Sequence, residues 1–91
     1  MLLDFNFKFR DIKKNEMQNE PIAALTLANF LCIKTPGLDC SKAMLWAYKL
    51  AEDGKIEIDI VDLEILEKLI KESEFANLAK DQLLFAIKSC K

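Results

Sequence analysis

The chain has 91 residues, 52% of them hydrophobic and 31% charged, with a net charge of −2, which is the composition of one small folded domain and excludes a disordered or collagen-like chain. It contains no His, two Gly, two Pro, a single Arg and three Cys, so catalysis built on His, a Gly-rich phosphate loop and a disulfide scaffold are excluded as well. A chain this short buries only about 60 to 65% of the surface it exposes when unfolded, so an apolar excess points towards contacts with a partner chain.

The first ten residues alternate, with Leu3, Phe5, Phe7 and Phe9 on one side and Asp4, Asn6, Lys8 and Arg10 on the other. Period 2 predicts a strand with one buried face. Residues 11–20 are polar apart from Ile12 and Met17 and predict a turn or loop, the tip of a hairpin that returns over residues 22–25. From 22 to 33 only Thr26 and Asn29 are polar, which predicts a helix buried all round. Two starts compete for it: Pro21 at the first helical position, or Thr26 as N-cap. Thr26 is preferred, because it leaves 22–25 free to pair with the first strand. Turn chemistry at 34–37 ends the element.

Asp39 or Ser41 caps a second helix that stops at Gly54, with Ala43, Ala47, Leu50 and Ala51 on one face and Trp46 along its flank. Residues 55–59 alternate as a short strand. Asp59 then caps a third helix, 60–72, whose Leu63, Leu66, Leu69 and Ile70 oppose Asp62, Glu64, Glu67, Lys68 and Lys71. After a break at 73–77 a fourth helix runs to the C-terminus with Leu78, Ala79, Leu83, Ala86, Ile87 and Cys90 on one side. Leu84 and Phe85 point elsewhere. The fold class expected is α+β, mainly α: an N-terminal strand or hairpin and a short strand packed with four helices in two pairs. It forms one domain, 1–91, with a strand or hairpin region at 1–25 and a helical region at 26–91.

Chemistry is sparse along this chain. Setting Gly54 as the glycine of a calcium loop puts Lys49, Ala51 and Ile60 where oxygen ligands are required; a helix C-cap followed by a strand explains the same residues. Three scattered Cys without His do not make a zinc site. Cys32, inside an apolar run, and Cys90, on a helix face, read as small buried hydrophobes with free thiols. Asp59 with Asp62, and Glu64 with Glu67, lie one helical turn apart, and such pairs read as solvated faces. No catalytic, cofactor-binding or metal-binding residue is nominated, and the reading is of a protein that is not an enzyme. Residues 51–91 carry ten acids against six bases, a poor footprint for phosphate binding. If nucleic acid were bound, Asn77, Lys80, Gln82 and Lys88 on the last helix would have to read it. No run approaches the ~20 apolar residues of a membrane span, and the start lacks the basic segment of a signal peptide.

The pattern WAYKLAEDGKIEIDIVDLEILEKLI resembles a group of small proteins encoded in tailed phages and prophages, usually left as proteins of unknown function. Their amphipathic helix, Gly turn, V-x-L-like strand, polar cap and Leu-, Ile-, Glu- and Lys-rich helix correspond here to 43–53, Gly54, 56–58, Asp59 and 60–72. The segment LTLANFL resembles the group's L-T-L opening of a first helix. The likeness spans residues 21–90; KKNEMQNE and ANLAKDQLLF stand where the group has a Gly-containing hairpin and a V-V-G-Q-like last helix. The resemblance implies a phage-related accessory or assembly protein. It would sit in the cytoplasm of a bacterial host, with virion association left open, and would act through self-association or contact with another phage or host protein. The alternative is a small nucleic-acid-associated regulator. The candidate interface residues are Phe5, Phe7, Phe9, Leu84 and Phe85, the hydrophobes that a 91-residue core is least able to bury.

Overall fold

The computed structural model describes residues 1–18, 20–33, 35 and 37–89. Its elements are β1 (Leu2–Asp4), α1 (Ala23–Ile33), α2 (Cys40–Asp53), β2 (Lys55–Glu57), α3 (Ile60–Lys71) and α4 (Asn77–Ser89). The fold is α+β and mainly α, as the residue pattern predicts. β1 and β2 form a two-stranded antiparallel sheet in which Leu3 pairs with Ile56, and both of these side chains point into the core. Helix α1 packs on α2 and α3 on α4, while β1 also touches α4. Buried alanines on α1 (Ala23, Ala24, Ala28) and on α2 (Ala43, Ala47) allow the first pair to approach closely.

The N-terminal alternation is only partly a strand. Leu3, Phe5 and Phe9 are buried and Phe7 is half-buried, but the ladder to β2 ends after Asp4. Beyond it, the carbonyls of Phe5 and Phe7 accept from the amides of Ala24 (3.0 Å) and Ala23 (2.8 Å). These are first-turn amides of α1, which have no partner within their own helix. This contact corrects two expectations. Residues 22–25 are not a return strand: Ile22 makes one isolated bridge to Lys8, and the helix begins at Ala23, so the helical region opens three residues earlier than the division at 25/26. Thr26 is not the N-cap either, since its own amide donates to the Ile22 carbonyl inside the first turn. A neighbouring segment supplies the acceptors that a capping side chain would otherwise provide.

Helix α1 is also not buried all round. Ala23, Ala24, Leu27, Ala28 and Leu31 face inward, whereas Leu25, Asn29, Cys32 and Ile33 are exposed. Cys32 is therefore a surface thiol rather than a buried one, and Cys90 lies outside the described residues. On α2, Asp39 is the cap, its carboxylate accepting from the Lys42 amide (3.2 Å). Trp46 lies in the core while Ala51 is exposed, so the buried stripe is rotated towards the tryptophan. Gly54 ends α2 in the left-handed conformation, φ 73°, with its amide donating to the Leu50 carbonyl, the expected C-cap geometry. Asp59 caps α3 through the Asp62 amide (2.9 Å), and Leu63, Leu66, Leu69 and Ile70 are all buried.

Candidate interaction surfaces

The N-terminal segment is built into a short, tightly tied turn. Arg10 and Glu16 bridge in antiparallel fashion, and the Met17 amide donates to the Phe9 carbonyl (2.9 Å). At the tip the Asp11 carboxylate accepts from the amides of Lys13 (2.9 Å) and Asn15 (3.0 Å), the local bonding for which Asp is favoured in turns. The Lys14 amide donates to the Asp11 carbonyl (2.9 Å). Lys14 itself sits at φ 68°, and the Arg10 guanidinium donates to its carbonyl. The base of the turn is latched to α4, where the Gln82 amide side chain accepts from the Arg10 N–H and donates to the Arg10 carbonyl, both at 2.8 Å.

Between this turn and α4 runs an open groove of ≈ 700 Å³, whose lining includes Phe7, Ile12, Leu78, Phe85 and Ala86. The groove also carries Lys8, Arg10 and Lys14 against Asp11, Glu16 and Asp81, so its rim has no dominant sign of charge. A second groove, of ≈ 740 Å³, lies where α1 meets the α3–α4 connection. Its apolar floor is Phe30, Ile33, Leu69 and Phe75, and its charged residues are Glu72 and Glu74. The Phe30 and Phe75 rings meet there, their centroids 5.1 Å apart and their planes tilted by 49°. A smaller groove beside the sheet, of ≈ 590 Å³, includes Leu2, Leu45 and Trp46 in its lining.

The five candidate interface residues divide. Phe5 is 0% exposed and Phe9 is buried beside it in the core cluster, so neither offers surface to a partner; the N-terminal segment folds back on the helices and needs no second chain to cover these rings. Phe7 is half-buried, meeting Phe9 edge-to-face at 6.0 Å, and Leu84 is half-buried against the core. Phe85, 68% exposed, shares the first groove with Phe7. Residue-level reasoning missed the second groove entirely, together with the exposed Leu45, Tyr48, Ile60 and Val61. Ile12 had a legible signal, a lone β-branched residue inside a polar run; Phe30 and Phe75 had none, since they are 45 positions apart.

The paired acids take structural positions. Asp59 caps α3, and the Asp62 carboxylate receives Lys42 through both oxygens (3.2 and 3.0 Å), a hydrogen bond and charge pair that raise the Lys42 pKa above the usual lysine range. On α4, the Lys80 ammonium donates to the Lys71 carbonyl, so two of the four side chains that would read nucleic acid, Lys80 and Gln82, are already engaged. No group of three or more Cys, Asp or Glu side chains among the described residues is placed to hold a metal ion. No described helix is long and apolar enough to cross a membrane. Comparison with protein-family models, with curated proteins and with solved structures found no match to this chain.

Proposed function

We propose that this protein is a non-enzymatic interaction protein, a phage- or prophage-related accessory or assembly factor that works by self-association or by binding another phage or host protein. The observation that carries this reading is the pair of open, largely apolar grooves, one flanked by Phe85 and the other by Ile33. Large apolar side chains gathered at grooves, rather than scattered singly, are the usual mark of a docking surface. The phage assignment rests on the helix–Gly–strand–helix pattern of residues 43–72. Light scattering across low to high micromolar concentration tests self-association, with a rise in mean mass expected. A labelled DNA duplex titrated at low salt separates this reading from a nucleic-acid regulator; saturable binding there would replace it. Flanking genes for phage head or tail components are the expected genomic context, and a setting remote from any phage gene would remove the phage part of the proposal.

A further inference from the structure

The two sides of this molecule are complementary to one another. The 11–15 turn projects Ile12, 86% exposed, between Arg10 and the pair Lys13 and Lys14; neither lysine makes an ion pair among the described residues. Four hydrogen bonds centred on Asp11, two through its backbone and two through its carboxylate, hold this tip in one shape, so little conformational freedom is left to lose when it docks. The second groove offers the converse: an apolar lining of Phe30, Ile33, Leu69 and Phe75, with Glu72 and Glu74 the charged residues that line it among those described. Ile33 is 84% exposed at its edge. The lining residues of this groove do not include any residue of the turn, so the two surfaces are separate and a chain cannot satisfy one by using the other up.

We infer that the basic, isoleucine-tipped turn of one copy docks into the acidic aromatic groove of a second copy, giving head-to-tail self-association. This inference rests on the self-association reading above and names its surfaces. A contact between unlike patches leaves one free turn and one free groove at the ends of every open assembly, so it propagates into a filament or closes into a ring instead of stopping at a two-fold dimer. Opposite charges at the rim make the contact sensitive to salt.

The decisive experiment is sedimentation velocity on the whole chain and two variants, Ile12→Asp and Ile33→Asp, both at exposed positions where folding is little affected. The wild type is expected to grow beyond a dimer with concentration, and each variant alone to remain monomeric, at least tenfold weaker in association. An equimolar mixture of the two is expected to form a dimer and stop, because only the intact turn of one and the intact groove of the other can join. The charge-swapped pair, Lys13→Glu with Lys14→Glu in one chain and Glu72→Lys with Glu74→Lys in the other, should likewise associate only when mixed. A wild type that associates while both isoleucine variants associate equally well, or while their mixture stays monomeric, overturns the head-to-tail contact and leaves self-association standing. Loss of association in Phe85→Asp alone moves the interface to the first groove and also overturns it. A wild type monomeric at high micromolar concentration overturns self-association itself.

Discussion

Individual residues in this chain do more than their type suggests, and Gly54 is the clearest instance. A Cβ placed there meets the Asn6 side-chain amide, which donates to the Asp53 carbonyl (2.9 Å), and the backbone is left-handed. Gly54→Ala is expected to cost about 1 to 2 kcal/mol for the left-handed conformation, with the loss of the Asn6 bond added. In an Asn6→Ala background the same change should cost less, a coupling that urea titrations of the four proteins will measure. Lys42 gives a pH dependence with a definite sign. Its pKa is raised by the Asp62 hydrogen bond and charge, so the pair's contribution is fully present below the unfolded lysine value, about 10.4, and is lost as pH rises through the raised folded value. Lys42→Met should therefore be less stable than wild type near neutrality, with the two urea midpoints converging at strongly alkaline pH. At Cys32 the sequence suggests a buried thiol, but the side chain is exposed. In a Cys90→Ser background, two thiols per chain, Cys32 and Cys40, should react with an aromatic disulfide reagent without denaturant.

At the level of elements, α1 shows how a neighbouring segment overrides local capping chemistry. Thr26 is a good cap by type, yet the helix starts three residues earlier because Phe5 and Phe7 bring their carbonyls to the amides of Ala24 and Ala23. The α3 cap was legible and the α2 cap was narrowed to Asp39 or Ser41, since Asp39 and Asp59 each bond an amide three residues on and the whole device lies within one turn of sequence. The 11–15 turn is tied to α4 by the two bonds of Gln82, 72 residues from Arg10. Each such bond contributes about 1 kcal/mol. Gln82→Leu is expected to lower global stability by about 1 to 2 kcal/mol and to speed hydrogen exchange at the Arg10 amide far more than at amides within α3. Equal acceleration at both places would mean that the latch is only part of general core packing.

For the molecule as a whole, the radius of gyration is 12.3 Å, close to the ~12 Å expected of a compact chain of this length. The exposed hydrophobes are thus not the product of an open fold. Phe5→Ala should cost about 3 to 5 kcal/mol, a large part of the stability available to a domain this small. Phe85→Ala should shift stability by no more than about 0.5 kcal/mol. A differential denaturation series that found the two equal would place Phe85 in the core. The sequence by itself determined the order of the four helices and β2, the Gly54 and Asp59 caps and the inner faces of α3 and β2, because these follow from periodicities and bonds spanning at most one helical turn. Only the tertiary structure decided where α1 begins, that Phe5 and Phe9 are core while Phe85 is surface, and that Phe30 and Phe75 floor a groove. Each of those depends on which distant segment fills the space beside a residue, and an apolar side chain looks the same in sequence whether that space is occupied by the chain itself or left for a partner.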